Sequence, residues 1–226
     1  MSDTALADRL ASIDGAIADA ARDAGRDPAR ITRIVVTKFQ PASLVRELAA
    51  LGVSDFGENR HQEAAAKAAE LADLELTWHF VGQLQSNKAR QVRRYARVVH
   101  SVDREALVTA LEADDGAIVD CFVEVDLSGE PGRGGAPPSE VPALADRIAE
   151  APGLRLAGVM AVAPLGAPPR VAFAALRLVS DRVRAVHPDA TAISAGMSGD
   201  FREAILEGAT HLRIGTAITG NRPPRD

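Results

Sequence analysis

The sequence predicts a single (β/α)8 TIM barrel, an α/β fold, preceded by one additional helix. Three observations carry that prediction. Short apolar runs alternate with helix-like stretches along the whole chain. The runs number eight, as a closed parallel barrel requires. An amphipathic segment stands ahead of the first of them. A chain of 226 residues can bury one sizeable core, and a barrel of this length is routinely one unit, so residues 1–226 are expected to form a single domain. An open doubly wound sheet is the alternative, and it usually needs fewer strands.

The leading segment, 4–24, places Leu6, Leu10, Ile13 and Ile17 on one face. It is expected to cover the position an eighth helix would occupy, because only a short tail ending Asn221-Arg222-Pro223-Pro224-Arg225-Asp226 follows the last strand. Strands are predicted at 31–37, 52–57, 77–81, 96–101, 117–127, 154–161, 190–195 and 209–214. Helices are predicted between them at 41–50, 59–72, 85–95, 103–113, 138–150, 168–187 and 199–207. Asp103 and Ser139 stand where N-caps are expected. The stretch from Gly129 to Pro138 is rich in glycine and proline and reads as a mobile loop after the fifth strand.

Composition removes several function classes. The net charge of −5 gives no support to nucleic-acid binding or to an acidic membrane surface. Cys121 lies in an apolar run and reads as a small core residue, so no internal disulfide framework is expected. No secretory signal and no bilayer-spanning stretch are read, which makes a reduced cytoplasmic compartment the expectation. Five scattered histidines and one cysteine show no metal-ligand spacing.

Lysine usage is the most informative local feature. Arginine supplies 23 of the 26 basic residues, leaving only Lys38, Lys67 and Lys88. Arginine stays protonated in proteins, whereas a lysine can lose its proton and attack a carbonyl. Lys38 closes the apolar run 31–37, which places its amine at the carboxyl end of the first strand. That is the rim where barrel chemistry gathers. Lys67 sits among alanines in a polar helix and is expected to be a solvated surface charge. Lys88 is also expected at the surface.

The last two strand ends face this lysine across the rim. Gly196, Ser198 and Gly199 follow strand seven, and Arg213, Gly215 and Thr216 end strand eight. Loops after these strands often hold a phosphate in barrel enzymes. A carbonyl that condenses with lysine and also carries a phosphate describes pyridoxal 5′-phosphate. Arg213 could then donate to the pyridine nitrogen and leave it unprotonated, making the ring a poorer electron sink than one paired with a carboxylate. The alternative for Arg213 is an ion pair under the rim. His79 is expected to be a hydrogen-bonded packing residue, and Glu58 to orient Asn59 or bond nearby backbone.

Several segments together resemble a known family. Val35-Val36-Thr37-Lys38, Phe56-Gly57-Glu58-Asn59, the run Trp78 to Lys88, Gly196-Met197-Ser198 and Arg213-Ile214-Gly215-Thr216-Ala217-Ile218 are similar, in order, to the YggS/PROSC family of pyridoxal phosphate homeostasis proteins. The resemblance implies a barrel like the N-terminal domain of alanine racemase, holding the cofactor as an internal aldimine. It implies Lys38 as the Schiff-base residue, Ser198, Gly215 and Thr216 as phosphate ligands, Arg213 as the pyridine partner and Asn59 near the ring. Arg60 and Thr219 depart from the family pattern and are expected to affect packing more than binding.

Three functions are weighed. The chain buffers or delivers the cofactor without a dedicated reaction, or is an amino-acid racemase, or is a cofactor-free aldolase. Racemisation needs a second base, which alanine racemases take from a tyrosine of an additional domain; the lone tyrosine here, Tyr95, is placed on a helix after strand three. An aldolase needs no permanent phosphate pocket. The carrier reading is preferred, with no catalytic residue assigned, apo-enzymes that use the cofactor as possible partners and a monomer as the expected state.

Overall fold

The computed structural model describes residues 3–130 and 134–220. Eight parallel strands close into a barrel in chain order: β1 (Thr32–Val36), β2 (Asp55–Glu58), β3 (Thr77–Phe80), β4 (Ala96–Val102), β5 (Val119–Glu124), β6 (Leu154–Met160), β7 (Ala192–Ser194) and β8 (His211–Ile214). Closure is made by β8 against β1, with Thr32 opposite His211 and Val35 opposite Ile214. The helices are α1 (Asp3–Asp23), α2 (Ala42–Ala50), α3 (His61–Glu70), α4 (Ala89–Val92), α5 (Glu105–Leu111), α6 (Val141–Ala149), α7 (Pro169–Val186), α8 (Phe201–Leu206) and α9 (Thr216–Thr219).

Most of the core lies between strands and helices, where Val35, Leu48, Phe56, Val108, Ile148, Leu176 and Leu212 are fully buried. The barrel interior has its own small apolar cluster of Val98, Phe122 and Met160. Polar side chains fill the rest of that interior, as described below.

Leu6, Leu10 and Ile17 of α1 are buried, and Ile13 packs against the same core. The helix lies against α8 and α9. Arg9 Nε donates to the Ile218 carbonyl at 2.7 Å, and Arg33 of β1 pairs with Asp14 at 2.6 Å. The leading helix therefore occupies the slot after the eighth strand. The short helix α9 was not expected.

Several local expectations are corrected. Asp103 does not cap α5, because its carboxylate is taken by Arg104 and the cap position belongs to Arg104. Ser139 does not cap α6, whose cap position is Glu140 and whose first turn contains a proline that lacks an N–H to cap. The predicted helix 85–95 is a 3-10 turn, Ser86–Lys88, followed by the single turn α4, with Tyr95 in the turn that leads to β4. Arg93 ends that helix by reaching into the barrel base, where it donates to the carbonyls of Ala117 and Gly153 and pairs with Asp115. The loop after β5 returns to the sheet: Ala136 exchanges hydrogen bonds with Glu124 and Asp126 at 2.7 and 2.9 Å. Residues 131–133 of that loop and the tail 221–226 lie outside the described residues.

Candidate functional site

A cavity of about 390 Å³ opens at the carboxyl ends of the strands. It is lined by Lys38, Asn59, Ser198, Arg213, Gly215 and Thr216, which brings all six residues singled out from the sequence to one place. Val36, Val81, Gly82, Val162, Met197 and Gly199 complete the wall. A larger hollow of about 640 Å³ at the opposite end carries Arg26, Arg30 and Arg184 but no amine nucleophile.

Lys38 lies two residues past β1, in an exposed turn rather than within the buried strand. Helix α3 grips that turn on both sides. The Lys67 ammonium donates to the Thr37 carbonyl at 2.7 Å, immediately before Lys38. The Glu63 carboxylate accepts the Phe39 N–H at 3.1 Å, immediately after it. Phe39 has a φ of 66°, the one non-glycine residue with positive φ among the described residues. Such strain persists only where surroundings enforce it.

Lys67 is therefore not a solvated charge. It is 7% exposed and pairs with Glu58 at 2.5 Å, while the Thr37 hydroxyl donates to the same carboxylate oxygen at 2.8 Å. The polar helix reading failed because both acceptors lie outside the helix, Thr37 just past β1 and Glu58 at the end of β2. Burial pushes the Glu58 carboxyl above its ordinary range, and the Lys67 ammonium opposes that push. Glu58 thus serves this pair and not Asn59. The other Glu58 oxygen and the side-chain oxygen of Asn59 are buried without a partner.

Arg213 stands inside the barrel near its mouth, 5% exposed. It donates to Ser194 Oγ at 2.7 Å and to the Ala161 carbonyl at 2.9 Å. Burial pushes its pKa down to about 10, opposed by the charges of Glu124 and Asp200, so it remains a cation at neutral pH. The ion-pair alternative is not observed, since its direct side-chain partner is a hydroxyl.

The turn after β7 and the start of α9 form the far wall. Gly196 has a φ of 93°, and a Cβ there would lie 2.8 Å from Ala204 Cβ and 2.9 Å from Phe201 Cα. Only glycine lets this loop fold back on α8. The Ser198 hydroxyl accepts the Ala217 N–H at 3.4 Å, tying the β7 loop to α9. Gly82 matters in the same way: a Cβ would come within 2.4 Å of the Asn59 carbonyl oxygen. The sequence alone assigns no role to Gly82 or Ser194, because both roles come from contacts with residues of other strands and their loops.

The remaining candidates separate from the cavity. His79 is buried and hydrogen-bonded between Asp55 and His100, and it does not line the cavity. Lys88 is half-buried and does not line the cavity. Tyr95 stacks on His61 and its hydroxyl lies 3.4 Å from His61 Nδ1. The two departures reach closer to the site than expected. Arg60 sits 4.8 Å over the Phe39 ring, and Thr219 donates to the Gly215 carbonyl at 3.2 Å.

Residues 35–223 match the family model of the alanine racemase N-terminal domain. A pyridoxal phosphate homeostasis protein of Pseudomonas aeruginosa is 41% identical over 220 residues, covering 96% of each chain. One from Corynebacterium glutamicum is 42% identical over 208 residues, covering 88% of this chain and 93% of its own. Among solved structures, PipY of Synechococcus elongatus with PLP bound has a TM-score of 0.83 at 36% identity, covering 95% of this chain and all of PipY. Alanine racemase from Corynebacterium glutamicum shares the fold alone, with a TM-score of 0.66 at 18% identity over 92% of this chain and 60% of its own. The chain belongs to the family of pyridoxal phosphate homeostasis proteins, built on the barrel of the alanine racemase N-terminal domain.

Proposed function

We propose that this chain holds pyridoxal 5′-phosphate through Lys38 and buffers or delivers it, without a dedicated reaction of its own. One observation carries the reading: a primary amine, an anion-accommodating turn and a buried guanidinium line the same cavity. The donor set fits the group. Lys38 offers the amine, Ser198, Gly215 and Thr216 offer a small hydroxyl-bearing wall to a phosphate, and Asn59, whose side-chain oxygen is buried without a partner, lines the same cavity. PipY, with PLP bound in its structure, is a close enough relative to support carrying the cofactor over.

Bound through an amine, this cofactor supplies a ring that can withdraw electrons from an attached carbon. The chain's own residues limit that capacity. Arg213 keeps its proton and can only donate, so a ring nitrogen facing it would stay unprotonated. Racemisation further requires a base on each side of the substrate carbon. Tyr95 is engaged with His61 and does not line the cavity. The relatives named for homeostasis rather than for a reaction point the same way. No helix among the described residues is long and apolar enough to cross a membrane. Apo forms of enzymes that use the cofactor are the expected recipients, with the carrier acting as a monomer.

The test is spectroscopic and kinetic. The purified protein is expected to be yellow, and Lys38→Ala to be colourless after incubation with pyridoxal phosphate. A colourless wild type contradicts cofactor binding. Rapid inversion of any amino acid in a panel contradicts the carrier role.

A further inference from the structure

A continuous hydrogen-bonded chain crosses the barrel interior behind the cavity. Asp55, at the start of β2, has a side chain 25% exposed at the amino-terminal end. Its carboxylate lies 2.9 Å from His79 Nε2. His79 Nδ1 lies 3.0 Å from His100 Nε2, and His100 Nδ1 lies 2.9 Å from Ser194 Oγ. Ser194 Oγ accepts from Arg213 Nη1 at 2.7 Å. Every member between Asp55 and the cavity is buried. The His100 ring is clamped flat on Phe122, with centroids 4.5 Å apart and planes 8° from parallel.

The two ends fix the direction of the chain. A carboxylate only accepts and a guanidinium only donates. Burial drives His100 well below its usual pKa, so it carries a single ring proton at neutral pH. Asp55 is held below the ordinary carboxylate range: burial opposes this, but hydrogen bonds from His79 and Ser54 outweigh it. With neutral rings one arrangement satisfies every atom. Ser194 Oγ accepts from Arg213 and donates its own proton to His100 Nδ1. His100 Nε2–H then donates to His79 Nδ1, and His79 Nε2–H donates to Asp55.

We propose that Asp55, His79, His100 and Ser194 are positioning residues for Arg213, setting its guanidinium toward the cavity through a one-directional chain that starts at the opposite end of the barrel. This deepens the function proposed above and rests on Arg213 facing the bound ring. None of the four lines the cavity, so each acts through the next. Asp55 matters most because it imposes the tautomer on both rings. An amide at that position can donate as well as accept, and so permits the reverse arrangement, in which His100 donates to Ser194 and the serine proton loses its acceptor.

The experiment reads nitrogen-15 resonances of the histidine rings in the cofactor-free full chain at neutral pH. Both His79 and His100 are expected to carry the proton on Nε2; a proton on Nδ1 of either ring overturns the proposal without any variant being needed. In Asp55→Asn the single tautomer is expected to give way to a mixture. The same variant, and Ser194→Ala, are expected to shift the visible absorbance of bound pyridoxal phosphate and to weaken its binding roughly three- to tenfold, as for one misplaced hydrogen bond. Wild-type tautomers and spectrum in folded Asp55→Asn would reduce the chain to packing and overturn the proposal. Failure of the cofactor reading is told apart, because a wild type that takes up no pyridoxal phosphate fails there whatever its ring tautomers show.

Discussion

Replacing Lys67 with methionine keeps the aliphatic stem and removes the ammonium. Two interactions disappear: the pair with Glu58 at 2.5 Å and the donation to the Thr37 carbonyl at 2.7 Å. Glu58 is 1% exposed and keeps only the Thr37 hydroxyl as a donor. Breaking a buried pair by removing one partner typically costs about 3–5 kcal/mol, because the other charge is stranded. For a chain of this size about 1 kcal/mol moves the midpoint by roughly 2–4 °C, so the melting temperature should fall by roughly 6–20 °C. The loss should depend on pH. Burial already raises the Glu58 pKa, and removing Lys67 raises it further. Between the ordinary carboxylate range and that raised value, the folded variant holds a proton that the unfolded chain has released. Stability of the variant therefore falls as pH rises through this window and stays low above it. Urea denaturation at pH 5 and pH 8 measures both effects, and adding Glu58→Gln should recover much of the loss. A penalty below about 1 kcal/mol at pH 8, equal at both pH values, would show that Lys67 and Glu58 are not a buried, mutually dependent pair.

Three further outcomes are expected. Ser198→Ala should weaken pyridoxal phosphate about tenfold, as for a lost bond to a charged group, while leaving pyridoxal without its phosphate unaffected; equal loss for both would remove Ser198 from the anion turn. Burial, with Asp103 nearby and Arg213 opposing, pushes the Glu124 carboxyl up to about 7. The folded chain then holds a proton the unfolded chain lacks between about 4.5 and 7, so stability falls as pH rises through that window, and Glu124→Gln should gain on the order of 3 kcal/mol above pH 7 but nothing below pH 4. Arg93→Ala removes the hydrogen bonds to the Ala117 and Gly153 carbonyls, of which Gly153 keeps the Val119 N–H as donor, and should cost on the order of 2–4 kcal/mol in denaturation while the yellow colour persists.

The barrel was legible because its signal is local. Each strand from β1 to β8 sits within or against an apolar run, and the stripe of Leu6, Leu10 and Ile17 marked the covering helix. The rim residues were legible because strand ends in a parallel barrel necessarily share a face. What stayed hidden depends on partners far away in sequence. Lys67 is buried by a carbonyl 30 positions earlier, although its rarity as a lysine already hinted that arginine would not serve there. His100 and Ser194 are 94 positions apart, and neither belongs to a motif. Asp103 and Ser139 match the local pattern of an N-cap, but local propensity lost to the Arg104 guanidinium in one case and to a proline in the first turn in the other.

The carrier function depends on which amine holds the cofactor. Reduction of the yellow protein with borohydride followed by peptide mapping answers this directly. The label is predicted on Lys38 alone, in the segment continuing through Phe39 and Gln40. Label on Lys67 or Lys88 instead, or none at all, would contradict it.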